Sequence, residues 1–402
     1  MEATTAEGEP RALISRSALT HNAALIRKVV GPSVKICAII KANAYGHGAD
    51  IVVDTLTNYT HNNVEPPLVD ALAVANIDEA LALPETTLPV LIFRPVENAY
   101  VGAQREKLEA AIRAGWVLTI CSIPAAEDIA RIALAVGRRA AVQIMVDTGM
   151  TRSGVDCDDL PALWARVLAL PSLRLAGVCT HFACSEQRDH PATGQQLACF
   201  RKHTDPLLEK TQSRIIRHVA NSGAVFLHPQ SHLEMVRPGI ALYGIDPTCR
   251  PNMHRYLRPA LRWVAPLLMI RDVAAGTSVG YGYTWTTPRD TRIGLVPVGY
   301  ADGYLRAFSN RAKVIVNGRP CPVVGRVSMD LITIDLGTST PAAVGDDVTL
   351  IDDDPLSPAS IYRLAEIAET IPYELFCQIG RRIPRVAVEP QEAALPAATD
   401  AA

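Results

Sequence analysis

Up to about residue 250, short apolar runs alternate with segments in which apolar positions recur every three or four residues. The first such segment predicts a helix through Leu19, Ala23, Ile26 and Val30 that Gly31 ends. Apolar runs typical of strands buried on both faces occupy eight segments: 34–40, 71–75, 90–93, 117–121, 141–147, 173–180, 217–220 and 240–243. Eight strands alternating with helices favour a closed (β/α)8 barrel, with an open doubly wound sheet as the alternative.

The pattern changes after residue 257, where short strands follow one another without helices between them. These strands are predicted at 261–273, 291–298, 313–316, 322–324, 331–336 and 348–351. Asn317-Gly318 indicates a two-residue hairpin, and 361–369 reads as one late helix. The predicted fold class is therefore α/β plus β, with an N-terminal TIM-like barrel at 10–257 and a mainly-β domain at 258–388. Residues 389–402, rich in Ala and Pro, are predicted to form a flexible tail.

Composition narrows the class of protein. The 402 residues are 49% hydrophobic and 20% charged, which is typical of a globular chain and unlike a disordered one. A formal net charge of −2 gives no electrostatic reason to expect nucleic acid or an anionic membrane as a partner. The sequence has no apolar stretch long enough to span a bilayer and no N-terminal signal peptide, and its nine scattered cysteines indicate reduced thiols. These features predict a cytoplasmic protein.

Polar residues with useful chemistry follow several of the predicted strands. Lys41 ends the run 34–40, on the side of a barrel where active sites are built. Desolvation there lowers the pKa of an ammonium group, which suits a nucleophile or a Schiff-base lysine, although a lysine leaving a strand for solvent fits the same pattern. His181, Asn221 and Arg237 follow other apolar runs, so all four are expected on one rim. Taken alone, His181 fits a hydrogen-bonded core histidine better than a cofactor contact.

The chain resembles the alanine racemase family through motifs that occur in the family's order in both halves. The motifs are KANAYGHG at 41–48, DTGMTR at 147–152, THFA at 180–183, ANS at 220–222, RPGIALYG at 237–244, GYG at 280–282, GYADG at 299–303, GRVSMD at 325–330 and PYE at 372–374. The resemblance spans roughly residues 10–388. It implies a barrel that carries pyridoxal 5'-phosphate (PLP) and a following β domain, which agrees with the division predicted from periodicity.

The resemblance also implies roles for individual residues. It assigns cofactor binding to Lys41, Tyr45, His181, Asn221, Ser222, Arg237, Gly239, Ile240 and Tyr373. It makes Lys41 and Tyr281 the two catalytic bases and gives Arg152, Tyr300 and Met329 to the substrate. No metal ligand is among these residues. Read locally, Tyr281 fits a packing role in its Gly-Tyr-Gly-Tyr turn and Tyr283 is a rival, but the step from Tyr281 to Tyr300 matches the family register.

Arg237 discriminates between reaction types. By resemblance it faces the pyridine nitrogen of PLP, where a carboxylate would make the ring a strong electron sink. An arginine cannot take up that proton, because its own pKa exceeds about 12. The weaker sink favours proton exchange over decarboxylation. Racemisation moves a proton from one face of Cα to the other, and two bases on opposite faces are the simplest way to do this.

The leading hypothesis is a PLP-dependent alanine racemase that interconverts L- and D-alanine and supplies D-alanine for peptidoglycan. The family further implies a head-to-tail homodimer, in which Tyr281 acts in the partner's active site. Three alternatives remain: a racemase that also takes serine or larger amino acids, a related PLP decarboxylase, and a non-enzymatic PLP carrier.

One position departs from the family, because Met145 stands where many members have a carbamylated lysine. Arg152 is therefore expected to be oriented by an anion, a water or another side chain.

Overall fold

The computed structural model describes residues 8–60, 67–97, 104–249 and 256–389. The chain divides into two compact units, one of Asn22–Leu257 and one that joins Met1–His21 to Arg258–Ala402. Within the described ranges, no helix is both long and apolar enough to cross a membrane. The predicted tail lies outside these ranges except for Glu389.

The first elements of the chain are β1 (Arg11–Ser15) and α1 (Arg16–Val30). The strands of the first unit are β2 (Lys35–Ile39), β3 (Ala71–Val74), β4 (Val90–Ile92), β5 (Val117–Ile120), β6 (Ala140–Asp147), β7 (Val155–Asp156), β8 (Leu173–Cys179), β9 (Ile216–His218) and β10 (Met235–Val236). Its helices are α2 (Lys41–Tyr45), α3 (Ala49–Asn58), α4 (Ile77–Leu81), α5 (Arg105–Arg113), α6 (Ile123–Ala135), α7 (Leu160–Ala169), α8 (Ala192–Glu209) and α9 (Ser222–Leu227), with a 3-10 turn at Pro229–Ser231.

These strands form a nearly closed parallel barrel, as the sequence predicts. Their order is β10-β2-β3-β4-β5-β6-β8-β9, and β7 pairs with the end of β6. The prediction for the last strand is wrong, because the strand is Met235–Val236 and residues 240–243 form turns. The Leu242 amide donates to the Gly239 carbonyl at 2.9 Å in one of these turns. This run is apolar because Leu242 and Tyr243 are fully buried, not because the backbone is extended.

In its described residues, the second unit adds ten strands and two helices. The strands are β11 (Leu261–Pro266), β12 (Met269–Val273), β13 (Ser278–Val279), β14 (Trp285–Thr286), β15 (Thr291–Val296), β16 (Lys313–Val316), β17 (Arg319–Pro322), β18 (Ile332–Asp335), β19 (Asp347–Ile351) and β20 (Arg385–Val388). The helices are α10 (Ile361–Ala368) and α11 (Pro372–Gln378), and 3-10 turns cover Tyr281–Tyr283, Tyr300–Asp302 and Arg306–Phe308.

The mainly-β character of this unit confirms the prediction. Its sheets have the orders β17-β16-β19-β11-β1-β20, β12-β15-β18 and β13-β14. The predicted hairpin joins β16 to β17, with Val316 opposite Arg319 and with positive φ at both Asn317 and Gly318.

Strand β1 belongs to the largest of these sheets. It runs antiparallel to β11 and parallel to β20, so it lies inside the sheet and not at its edge. The sequence pattern predicts that the barrel begins at residue 10. Arg11–Ser15 instead pair with β11 and β20, which follow the barrel in the chain. The pairing partners lie far downstream in the chain, where a local hydrophobic pattern carries no information about them.

Candidate active site

Lys41 lies at the carboxyl end of β2, where the backbone takes an unusual course. The next four residues, Ala42, Asn43, Ala44 and Tyr45, have φ angles of 52°, 53°, 54° and 53°. A left-handed turn of L-residues costs about 1–2 kcal/mol for each of them. Strain of this kind concentrates at functional sites, where surrounding contacts hold it in place. The turn therefore marks Lys41 as a functional candidate independently of any motif.

One carboxylate ties this turn to the neighbouring strand. Glu79 Oε1 accepts the Ala42 amide at 3.0 Å, and its Oε2 accepts the Ala75 amide just beyond β3 at 2.7 Å. Glu79 is fixed in turn by its own amide, which donates to the Asn76 side chain that caps α4. Sequence reasoning missed Glu79, because its importance arises only from the meeting of two strand ends.

Tyr45, Ser222 and Gly239 meet in a cluster of hydroxyl and amide groups. A Cβ atom on Gly239 would lie 2.5 Å from Tyr45 Oη, so only glycine leaves room there. Ser222 Oγ accepts the Gly239 amide at 2.9 Å and the Ala241 amide at 3.3 Å. Ile240, between these two amides, is buried. A concave group of amides and hydroxyls is the environment that suits a phosphate.

Asn221 acts as the N-cap of α9. Its Oδ1 accepts the Ala224 amide at 3.1 Å and the Ser185 hydroxyl at 2.6 Å. The side chain thus fixes the helix start that carries Ser222, which is compatible with the role in cofactor binding that the sequence predicts.

Arg237 is a buried cation held by neutral acceptors. Its Nη2 donates to the carbonyls of Thr180 at 2.8 Å and Val219 at 3.3 Å, and its Nη1 donates to the His218 carbonyl. The same two nitrogens contact Nδ1 of His218 at 3.2 Å and Nδ1 of His181 at 3.3 Å. Burial lowers the pKa of the Arg237 guanidinium. Within the described residues, no carboxylate forms an ion pair with it.

The positive charges of three predicted site residues affect the pKa of His181. Burial, followed in size of effect by the positive charges of Arg237, Arg152 and Lys41, lowers its pKa to about 3. The imidazole is therefore neutral near pH 7. Since Arg237 donates to Nδ1, the ring proton is assigned to Nε2. Lys41, Arg152 and Arg237 therefore lie near His181 at one end of the barrel.

The side chain of Asp147 holds the backbone around Arg152 through hydrogen bonds. Asp147 Oδ1 accepts the amides of Gly149 and Met150 at 2.9 Å each and that of Thr151 at 3.1 Å, while Oδ2 accepts the Arg152 amide at 3.2 Å. Burial raises the pKa of Asp147, but these four bonds lower it more, so it lies below its ordinary value. Asp147 is not among the predicted site residues, although Asp before Thr-Gly is a known signal for such a turn.

Met145 takes part in the same arrangement. Its Sδ accepts the Ser153 hydroxyl at 3.2 Å, next to Arg152 in the chain. Gly154 packs so closely that a Cβ atom there would lie 2.4 Å from the Asp147 nitrogen. The Asp147 carboxylate and these contacts therefore fix the segment that carries Arg152.

The remaining predicted residues belong to the second unit. Tyr281 is 74% exposed, Tyr300 is 42% exposed and Met329 is 54% exposed. The turn of Tyr300 packs on the Met329 segment, because the Tyr300 amide donates to the Ser328 carbonyl at 3.0 Å. Tyr373 lies half-buried at the start of α11.

Comparison with known proteins decides the family. The sequence profile of the alanine racemase N-terminal domain matches residues 14–247, and that of the C-terminal domain matches residues 260–387. The chain belongs to the alanine racemase family. The alanine racemase of Chlorobaculum tepidum is 37% identical over 377 residues, covering 94% of this chain and 95% of that protein. The alanine racemase of Desulfovibrio desulfuricans is 37% identical over 380 residues, covering 94% and 97%.

Solved structures of alanine racemases have the same fold. The enzyme from Streptomyces coelicolor superposes with a TM-score of 0.83 at 32% identity, covering 94% of this chain and 98% of that one. The enzyme from Bartonella henselae, solved with covalently bound pyridoxal phosphate, gives a TM-score of 0.79 at 28% identity, covering 94% and 99%. Membership of the alanine racemase family makes this chain an isomerase.

Proposed function

We propose that the protein is a PLP-dependent alanine racemase that interconverts L- and D-alanine. The observation that carries the proposal is the environment of Arg237. This residue is a buried cation at the end of the barrel where Lys41 also lies, and among the described residues it hydrogen-bonds only to neutral groups. An arginine in this place fits a reaction limited to proton exchange at Cα, as argued from its inability to accept a proton. The presence of an arginine instead of a carboxylate disfavours the decarboxylase alternative.

The barrel residues fit the cofactor. The cradle around Gly239, which a Cβ atom would fill, offers a phosphate the hydroxyls of Tyr45 and Ser222. The amides of Gly239 and Ala241, which donate to Ser222 Oγ in this structure, would have to turn to the phosphate. Tyr373 is the proposed phosphate contact from the second unit. The hydrogen bonds of Arg237 to described residues use Nη1 and Nη2, which leaves Nε as the donor for a ring nitrogen. PLP, when bound, supplies the electron sink that acidifies the Cα–H bond of an attached amino acid.

The chain's own groups then perform the proton transfers. Lys41 would hold the cofactor covalently, and its amine, when not so engaged, would exchange a proton with one face of Cα. Tyr281 exchanges a proton with the other face. Arg152, on the segment whose backbone amides donate to Asp147, binds the substrate carboxylate. Tyr300 and Met329 limit the space for the substrate side chain. His181 stays neutral, so it packs beside the cofactor without adding a further charge.

The assembly proposed is a homodimer with composite sites. Tyr281, Tyr300 and Met329 present large side chains to solvent on the second unit. Exposed apolar and aromatic groups of this kind favour a protein contact. In this proposal each Tyr281 acts on the substrate bound by Lys41 of the partner. The D-alanine produced in the cytoplasm would serve peptidoglycan synthesis.

A panel of L-amino acids in D2O tests the proposed function. The expected result is formation of D-alanine with deuterium at Cα, and much slower or no inversion of serine and larger amino acids. Inversion of several substrates at similar kcat/KM would instead identify a broad-specificity racemase. PLP binding with no Cα exchange on any amino acid would identify a carrier, and release of CO2 would identify a decarboxylase.

A further inference from the structure

Two thiols and an imidazole meet in the barrel unit outside the residues discussed so far. Cys157 follows β7, whereas Cys199 and His203 are four positions apart on α8 and so share one helix face. The sulfur atoms of the two cysteines are 3.3 Å apart, and Cys199 Sγ is 3.7 Å from His203 Nδ1. One ligand atom from each of the three residues lies within 4.8 Å of the other two.

We propose that Cys157, Cys199 and His203 form a binding site for a thiophilic divalent cation, with Zn²⁺ as its expected occupant. A tetrahedral ion with Zn–S bonds of about 2.3 Å and Zn–N bonds of about 2.0 Å holds its ligands roughly 3.5–4 Å apart. The sulfur–sulfur separation of 3.3 Å and the sulfur–nitrogen separation of 3.7 Å are close to this spacing, so small side-chain rotations would bring the three ligand atoms onto one ion. The three side chains are half-buried, so a water molecule can take the fourth position.

The surroundings favour a positive ion. Burial, the Cys199 thiol and the carboxylates of Asp158 and Asp147 raise the pKa of Cys157 to about 12. Cys157 is therefore protonated when no cation is bound, and it loses its proton to solvent when its sulfur binds the metal. His203 Nδ1 is 2.9 Å from the Cys199 carbonyl, so the ring must give up that hydrogen bond or present Nε2.

The site is connected to the segment that carries Arg152. Cys157 Sγ donates to the Asp147 carbonyl at 3.5 Å, and Asp147 clasps that segment. On α8, one turn before Cys199, Gln196 donates to the His181 carbonyl at 3.0 Å and to Thr148 Oγ1 at 3.3 Å. A cation bridging Cys157 and Cys199 would therefore link the end of the Arg152 segment to a helix that already contacts His181.

The test uses the full-length protein, reduced and treated with a chelator, then titrated with Zn²⁺ and separately with Co²⁺. Stoichiometry is measured by equilibrium dialysis, and Co²⁺ reports thiolate ligation through its charge-transfer and tetrahedral d–d absorption. Cys157→Ser, Cys199→Ser and His203→Gln remove one ligand each. Cys184→Ser is the matched control, since Cys184 is also a half-buried thiol of the barrel unit but lies outside the cluster. Circular dichroism without metal checks that each variant folds.

We expect one Zn²⁺ per chain and an increase in Tm on addition of Zn²⁺, both unchanged in Cys184→Ser. Replacing a residue that hydrogen-bonds to a metal ligand typically weakens metal binding 10–100-fold. Replacing a ligand itself should therefore weaken Zn²⁺ binding by at least about 100-fold. Three results would overturn the proposal: no binding to the reduced protein, equal binding by the cysteine variants, or a Cys157–Cys199 disulfide in air together with no metal uptake after reduction. None of these measurements depends on racemase activity.

Discussion

At the scale of single residues, the two histidines that contact Arg237 predict a pH dependence of stability. Burial and Arg237 lower the pKa of His218 well below its ordinary value, and that of His181 falls to about 3. An unfolded histidine has a pKa of about 6.5. Between about pH 6.5 and pH 3 the unfolded chain therefore binds more protons than the native one, so the free energy of unfolding decreases as the pH falls.

Urea unfolding across this range should show the decrease, with a slope of at most about 1.4 kcal/mol per pH unit for each proton. His181→Asn should make the slope shallower. NMR of the native imidazoles provides an independent measurement, in which neither His181 nor His218 should titrate near pH 6.5. A titration of His181 at that pH would contradict the electrostatic picture.

Lys41→Ala is expected to abolish racemisation, because it removes both the covalent attachment of PLP and one base. The attachment is measured separately by borohydride reduction followed by peptide mass spectrometry. Lys35→Ala is the control, since Lys35 begins the same strand at its opposite end. PLP recovered on another lysine, or near-normal turnover in Lys41→Ala, would refute the assignment.

Arg237→Glu should slow racemisation by at least about tenfold and divert part of the turnover to transamination, detected as pyruvate. The reason is that a carboxylate would keep the pyridine nitrogen protonated and strengthen the electron sink. Arg237→Lys preserves the charge and should give no pyruvate. If Arg237→Glu produced none either, Arg237 would be a structural residue and the argument for the reaction type would fail.

At the scale of elements, the left-handed turn after Lys41 reverses the usual effect of glycine. Ala42 is exposed with φ of 52°, so glycine there relieves backbone strain and should leave stability unchanged or raise it by up to about 1 kcal/mol. Ala24→Gly in the right-handed helix α1 is the matched control and should cost about 1 kcal/mol. Urea unfolding measures both. Equal losses in the two variants would show that the turn is not strained.

Elements defined by local pattern were predictable from the sequence, and those defined by distant contacts were not. The apolar runs of β2 to β6, β8 and β9 identified the barrel, because strands buried on both faces have continuous apolar sequence. The same signal misplaced the last strand, since burial of Leu242 and Tyr243 in turns gives an equally apolar run. The motifs supplied Lys41 and Arg237, whereas Glu79 and the Cys157–Cys199 pair depend on side chains from separate elements.

At the scale of the whole molecule, the composite-site proposal predicts complementation between inactive variants. Tyr281→Phe and Lys41→Ala homodimers should each be nearly inactive, because every site lacks one base. In a heterodimer, one site combines the intact Lys41 of one chain with the intact Tyr281 of the other, and the second site carries both lesions. Subunit exchange should therefore restore activity to nearly half the wild-type value per heterodimer.

Tyr283→Phe is the control in this experiment, since Tyr283 is as exposed as Tyr281 and lies in the same turn. It should retain most activity by itself. Verified exchange without recovery of activity would place both bases in one chain and refute the composite site.

The position of β1 inside the second unit's sheet has a consequence for biosynthesis. This strand leaves the ribosome before any other described strand, yet its partners β11 and β20 are made only after the whole barrel has been translated. A fragment that begins at Arg258 would lack an inner strand, and the facing edges of β11 and β20 would be left open to pairing with other chains. The second unit is therefore assembled from segments that lie before and after the barrel in the sequence, and its sheet cannot be completed until β20 has been translated.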